Sequence, residues 1–124
     1  MTKFKTQNFI SKVENARHGI NIALRAEKNL RIHTIIASFV VVAGLLLEVG
    51  TSKFCILLLT IAMVISAEMF NSALEFSIDA LYRNKYSKLV QFAKDISAGA
   101  VLFVSFIAMV IGVIIFLPAI GKLF

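Results

Sequence analysis

The sequence predicts an all-α integral membrane protein with three transmembrane helices and an amphipathic interfacial helix before the first of them. Two observations support this fold class. Of the 124 residues, 59% are hydrophobic and only 16% are charged, and the apolar residues are concentrated in three long runs. An ordinary soluble protein contains about 25% charged residues. A chain of this length forms one domain at most, so residues 1–124 are expected to be a single membrane-embedded unit.

The three apolar runs, residues 32–50, 54–82 and 96–117, are each predicted to be a transmembrane helix. About 20 helical residues are enough to cross the hydrocarbon of a bilayer. No alternating pattern typical of a barrel is present, and a helix satisfies its own backbone hydrogen bonds in lipid. The connection between the first two runs is short. These two helices are therefore expected to form an antiparallel hairpin.

The segment before the first span, residues 1–31, contains an apolar row at spacings of three and four residues: Phe9, Val13, Ala16, Ile20 and Ala23. This pattern predicts an amphipathic helix on the cytoplasmic leaflet. Nothing in the segment resembles a cleavable signal peptide, so it is expected to be retained. The apolar row continues to Glu27, for which an ion pair with Arg31 is the alternative to a functional role.

The positions of the basic residues predict the orientation. Eleven of the thirteen lysines and arginines lie in residues 1–31 and 82–95, on one side of the membrane. The positive-inside rule makes that side cytoplasmic, with the N-terminus inside and the C-terminus outside. The formal charge of +6 is then explained by topology and by anionic lipid, and no nucleic acid partner is expected. The single cysteine, Cys55, excludes a disulfide framework.

The second span contains a row of polar residues on one helix face, namely Glu68, Asn71, Glu75 and Asp79. Their spacings of 3, 4 and 4 place them within an arc of about 80° over a rise of about 16 Å. Hydrogen bonding between helices is the simpler interpretation, and it accounts for Asn71. Three carboxylates are too costly for that role, because ionisable residues in a span usually mark a functional path. Two carboxylates seven residues apart also favour a divalent cation.

The third span is preceded by Lys94 and Asp95 and opens with a surface of small residues, 97–100, that allows another helix to approach closely. Lys94 could simply extend to lipid headgroups. Opposite the acidic row, however, the pair supplies a cation for phosphate and an anion for metal, as phosphoryl transfer requires. The chain contains no Walker motif and no kinase glycine loop. The residues alone leave open a lipid-modifying enzyme, a small carboxylate-driven transporter and an inactive membrane subunit.

Three segments, "RAEKNLRIH" (25–33), "AEMFNSALEFSID" (67–79) and "AKDISAGAV" (93–101), resemble the prokaryotic diacylglycerol kinase family in content and order. Within that family the chain is most similar to the undecaprenol kinases of Gram-positive bacteria. The resemblance covers nearly the whole chain. It implies a homotrimeric lipid kinase of the bacterial plasma membrane that uses ATP and Mg²⁺, with sites shared between subunits. Undecaprenol is the expected substrate, and diacylglycerol is the alternative.

The resemblance also implies roles for residues in the second span and before the first. Glu68 matches the general base that accepts the proton of the lipid hydroxyl, and Asn71 matches the asparagine that positions the acidic row. Glu27 and Glu75 match ligands of the magnesium ions that bridge the phosphates of ATP. These roles agree with position, because a base must be near the bilayer and metal ligands must reach a cytosolic nucleotide.

Further nucleotide contacts are implied after the second span. Lys94 and Asp95 match residues that contact ATP, and Asp79 matches the acidic residue that closes the second motif. Tyr86 also matches, although relatives commonly place an acidic residue before it, where this chain has Lys85. A flexible ammonium group can attract phosphate directly, so Lys85 is an additional expected contact.

Overall fold

The chain folds into four α-helices in the computed structural model, which describes residues 8–83, 85 and 87–124. Helix α1 spans Phe9–Ala26, α2 spans Lys28–Leu46, α3 spans Thr51–Tyr82, and α4 spans Lys88–Gly121. Helix α3 packs against both α2 and α4, and α1 packs against α2. No strand occurs in the described part of the chain. The all-α prediction is confirmed, with α3 as the central element.

A single residue, Glu27, separates the interfacial helix α1 from α2. Helix α1 begins at the cap residue Asn8, whose side chain accepts a hydrogen bond from the Ser11 amide at 2.9 Å. At Glu27 the backbone is extended, with φ −112° and ψ 112°, although its amide still donates to the Ala23 carbonyl at 2.9 Å. The chain therefore changes direction at Glu27, and this carboxylate lies at the junction of two helices.

The hairpin between α2 and α3 depends on two residues in the left-handed region and on one glycine in the interface. Glu48 has φ 51° and Gly50 has φ 100°, which allows the chain to reverse within four residues of the end of α2. Inside the hairpin, a Cβ added at Gly44 would lie 3.3 Å from Cδ1 of Phe54 and 3.4 Å from Cδ1 of Leu57. The missing side chain at Gly44 thus lets α2 approach α3 closely.

Helices α2, α3 and α4 contain 19, 32 and 34 residues, and each is long and apolar enough to cross a membrane. Since a helix rises 1.5 Å per residue, α3 and α4 extend about 50 Å, well beyond a hydrocarbon layer of about 30 Å. Large apolar side chains on all four helices are exposed in the single chain, including Ile20, Phe39, Phe70 and Phe103. A surface of this kind needs lipid or another subunit to cover it.

The helices differ from the predicted spans at several ends. Helix α2 begins at Lys28 rather than 32 and ends at Leu46 rather than 50, and α3 begins at Thr51 rather than 54. Helix α4 extends from Lys88 to Gly121, beyond the predicted 96–117 at both ends. Apolar runs report the residues that can lie in hydrocarbon, whereas backbone hydrogen bonding continues through charged residues until a turn interrupts it. Among the described residues nothing lies within 4 Å of a Cβ added at Gly99, so the small-residue surface at 97–100 has space for another helix at this position.

The close packing at Gly44 predicts a selective loss of stability when a side chain is added there. Gly44→Val should lower the midpoint of thermal unfolding in detergent micelles, because overpacking against Phe54 and Leu57 costs about 1–3 kcal/mol. Gly112→Val is the matched control, since a Cβ at Gly112 meets no atom within 4 Å. Equal midpoints for the two variants would contradict the close approach of α2 and α3 at Gly44.

Candidate active site

The acidic row predicted on the second span lies along one face of the continuous helix α3. Glu68 is buried, with 4% of its surface exposed, and Asn71, Glu75 and Asp79 are half-buried. The side-chain amide of Asn71 donates to Oε1 of Glu75 at 3.3 Å. The row therefore runs from a buried carboxylate in the middle of the helix to partly exposed carboxylates near its end at Tyr82.

The buried end of this row contacts a residue that the sequence motifs do not single out. Nε2 of His33, on α2, lies 3.3 Å from Oε1 of Glu68. The His33 side chain is 28% exposed, whereas that of Glu68 is 5% exposed. A histidine in the second turn of an apolar helix is itself an ionisable residue in a span. Glu68 is singled out in the sequence because it is ionisable and lies within an apolar span. The same property identifies His33.

The end of the row nearest Tyr82 forms an ion pair between helices. Nζ of Lys94, on α4, donates to Oδ1 of Asp79 at 2.7 Å. The pair lines a polar cavity of about 190 Å³, with these neighbours: Ile78, Tyr82, Lys85, Ser87, Val90 and Gln91. Lys94 thus lies opposite the acidic row as predicted, although its ammonium group is already paired with a carboxylate. Lys85 borders the same cavity, and Tyr86 lies outside the described residues.

Asp95 makes no contact with the acidic row among the described ion pairs and hydrogen bonds, in contrast to Lys94 beside it. It is exposed, and its Oδ1 accepts a hydrogen bond from the side chain of Gln91 at 2.8 Å on the same helix. Adjacent residues of a helix point about 100° apart, so Lys94 and Asp95 leave α4 in different directions. A role for Asp95 opposite the acidic row stays a prediction.

Glu27 is half-buried at the junction of α1 and α2. The alternative of an ion pair with Arg31 is wrong, because the Arg31 guanidinium donates instead to the carbonyls of Leu24 and Arg25, both at 2.8 Å. These carbonyls are at the end of α1, where they have no partner within the helix. In the part of the chain that the structure describes, the Glu27 carboxylate makes no ion pair and remains available to a ligand.

The predicted metal ligands, Glu27 and Glu75, offer carboxylate oxygens of the kind that Mg²⁺ prefers, and Asn71 adds an amide oxygen. Oδ1 of Asn71 is buried and has no hydrogen-bond partner, and Glu75 lies one turn further along α3. Among the described residues no three histidine, cysteine or acidic side chains are grouped to hold a metal. Magnesium commonly takes only one or two protein carboxylates and completes its shell with water and substrate phosphates. The residues present therefore fit a magnesium ion that arrives with a nucleotide.

An apolar cavity of about 340 Å³ lies between α2, α3 and α4. His33 contributes to its wall, as do Val64 and Ile65, which are one turn of α3 from Glu68. The remaining lining residues lie further along the three helices: Ile36, Ala37, Val40, Leu57, Thr60, Ile61, Ser105, Ala108, Met109, Gly112 and Phe116. The buried carboxylate thus adjoins a space suited to hydrocarbon.

Comparison with known proteins assigns the family. A sequence model described as prokaryotic diacylglycerol kinase matches residues 14–116. A protein named undecaprenol kinase from Bacillus subtilis is 36% identical over 110 residues, which cover 89% of each chain. A protein named diacylglycerol kinase from Synechocystis sp. is 33% identical over 111 residues, which cover 90% of this chain and 63% of that longer protein. The resemblance found in the motifs is confirmed, and the chain belongs to the prokaryotic diacylglycerol kinase family.

Proposed function

We propose that this lipid kinase transfers the γ-phosphate of ATP to the hydroxyl group of undecaprenol, at the cytoplasmic side of the bacterial plasma membrane. The strongest support for this proposal is the environment of Glu68. A buried carboxylate, Glu68, lies inside a transmembrane helix between an apolar cavity and a row of polar groups that leads to Lys94. This arrangement suits a reaction between a membrane-bound alcohol and a water-soluble nucleotide.

The depth of the carboxylates supports separate roles for them. A hydrocarbon crossing of about 20 residues that starts at Phe54 ends near Ala73. Glu68 then lies about 8 Å inside the hydrocarbon, and Glu75 lies at the headgroups. A lipid hydroxyl can reach the first position, and the phosphates of a cytosolic nucleotide can reach the second.

Glu68 acts as the general base in the proposed reaction. Its carboxylate takes the proton from the lipid hydroxyl while the alcohol oxygen attacks the γ-phosphorus of ATP. A new phosphorus–oxygen bond forms to the lipid, and the bond from the γ-phosphorus to its bridging oxygen breaks. ADP leaves with the electron pair on its terminal phosphate. The protonated Glu68 then loses its proton to water before the next turnover.

The groups nearer the cytosol bind the nucleotide. Lys94 lies where phosphates would approach α3 and α4, and the 2.7 Å contact with Asp79 holds its ammonium group at that place. Lys85 borders the same cavity and supplies a second positive charge. Asp95 and Tyr86 are proposed as further nucleotide contacts because they match such residues in the family.

Glu75, Glu27 and the unpartnered oxygen of Asn71 would hold magnesium. When bound, the ion neutralises the charge on the phosphates and on the departing ADP. The protein residues fix the register of the nucleotide, so that its γ-phosphate is presented toward Glu68. The Asn71 amide, which donates to Glu75, restrains the rotation of that carboxylate.

A homotrimer with shared sites completes the proposal. Glu27 has no ion-pair partner among the described residues of its own chain, so a group from a neighbouring subunit can approach it. Gly99 on α4 leaves open space for another helix, and apolar side chains are exposed on every helix. A neighbouring subunit that packs there would bring a second chain to each site.

Undecaprenol is favoured over diacylglycerol by the extent of similarity to the named relatives. The Bacillus undecaprenol kinase aligns with this chain over 89% of its own length, whereas the Synechocystis diacylglycerol kinase aligns over 63% of its length. Diacylglycerol remains the second candidate, because the family takes its name from that reaction and both lipids present a primary hydroxyl. With the family established, a transporter or an inactive membrane subunit is no longer a candidate.

The choice of lipid is tested by assaying phosphate transfer from labelled ATP to the two alcohols side by side. In mixed micelles, the purified protein should phosphorylate a C55 polyprenol with a higher kcat/KM than a long-chain diacylglycerol. The ratio of the two kcat/KM values measures the discrimination directly. A clear preference for diacylglycerol would overturn the substrate and leave the proposed chemistry of Glu68 intact.

The separate roles of the glutamates predict different kinetic defects. Glu68→Gln keeps the size of the side chain and removes the proton acceptor, so kcat should fall by about 100-fold or more while magnesium–ATP still binds. Glu75→Gln and Glu27→Gln remove negative charge from the metal site, so both should weaken magnesium–ATP binding as well as turnover. Higher magnesium concentrations should recover part of that loss.

Binding and turnover are measured separately in this test, by equilibrium titration of the nucleotide in micelles and by the transfer assay. Glu48→Gln, in the turn at the other end of α3, is the matched control and should leave both quantities unchanged. Loss of magnesium–ATP binding in Glu68→Gln, with normal binding in Glu75→Gln, would require the base and ligand roles to be exchanged.

A further inference from the structure

The contact between His33 and Glu68 is the least expected feature of the site. The two side chains come from different helices, and Nε2 of His33 lies 3.3 Å from Oε1 of Glu68. No other ion pair or side-chain hydrogen bond involves Glu68 among the described residues. Ser72, the other buried polar residue of α3, has no partner for its hydroxyl. Within the part of the chain that the structure describes, His33 is thus the polar side chain that restrains the buried carboxylate of Glu68.

The chemistry of the contact determines which nitrogen carries a hydrogen. A neutral imidazole has one N–H and one lone pair, and an imidazolium has two N–H groups. A lone pair on Nε2 would repel an ionised carboxylate oxygen, whereas an N–H group on Nε2 attracts it. A hydrogen on Nε2 thus makes the 3.3 Å contact between His33 and Oε1 of Glu68 favourable. A carboxylate at this depth needs such a partner, because burial without one is costly.

We infer that His33 is the positioning residue of the general base. This inference rests on the proposed role of Glu68 and deepens it. By restraining Oε1, His33 fixes the rotamer of the carboxylate and leaves its second oxygen to receive the proton of the lipid hydroxyl. His33 also lines the apolar cavity, so the carboxylate that it contacts lies beside this cavity. The substrate hydroxyl then meets a base that is already oriented.

Three substitutions at His33 separate this role from a general structural one. Glutamine places an amide N–H at the same number of bonds from Cα as Nε2 of histidine, whereas asparagine is one bond shorter and leucine has no donor. His33→Leu and His33→Asn should lower kcat by about 10- to 100-fold, since misplacement of a reacting group by about 1 Å costs rate on this scale. His33→Gln should restore most of kcat. The KM for ATP should change little in all three.

The matched control is His18→Leu, which removes the exposed histidine of α1 and should leave kcat unchanged. Size-exclusion chromatography and thermal unfolding establish whether each variant is folded, and His33→Asn keeps the test decisive if His33→Leu does not fold. Parental kcat in His33→Leu or His33→Asn would overturn the inference. A His33→Gln variant as impaired as His33→Asn would also overturn it.

A double-mutant cycle links the effect to Glu68. Adding His33→Leu to Glu68→Gln should cause little further loss of kcat, because no carboxylate is left to position. If His33→Leu lowered the kcat of the Glu68→Gln variant as much as it lowers the kcat of the parent protein, the inference would be contradicted. Failure of the proposed function has a different signature, since parental turnover in Glu68→Gln alone would remove the base assignment. Slow turnover in Glu68→Gln with parental turnover in His33→Leu would remove only the role of His33.

Discussion

Placing a carboxylate inside the membrane is the constraint on which the rest of this structure depends. An unpartnered charge in hydrocarbon is strongly unfavourable, so Glu68 requires a polar neighbour that also lies below the membrane surface. His33 meets this requirement, but only because α2 packs closely against α3. The absence of a side chain at Gly44 allows that approach at the other end of the same helix pair. Helix packing and site chemistry are therefore linked through α2.

Helix α3 joins two environments that ordinary enzymes do not have to combine. Its central part meets the apolar cavity and holds a buried carboxylate, and its C-terminal part holds the Asp79–Lys94 ion pair beside a polar cavity. The change from apolar to polar surroundings occurs along one helix face over about 16 Å. A rigid helix thus sets the distance between the proposed position of the lipid hydroxyl and the proposed position of the nucleotide. Flexible loops would fix this distance less well.

Much of the fold and of the row on α3 can be predicted from sequence, because helical periodicity and hydropathy are local properties. The spacing of the four polar residues from Glu68 to Asp79 is sufficient to place them on one helix face. Contacts between helices are not local, and they are harder to predict. The motifs do not reveal the His33–Glu68 contact, since only the packing of α2 on α3 brings these residues together. The alternative pairing of Arg31 with Glu27 is wrong for a similar reason, because the end of α1 offers Arg31 two free carbonyls.

The proposed reaction requires the lipid hydroxyl to meet the buried carboxylate of Glu68 within the membrane. Photolabelling with a polyprenol that carries a diazirine beside the hydroxyl-bearing carbon tests it most directly, with the protein in lipid vesicles and the labelled peptides identified by mass spectrometry. Labels are expected on α3 near Glu68 and on α2 near His33, and excess undecaprenol should suppress them. Labels confined to residues 51–57, at the opposite end of α3, or to α1 would contradict it.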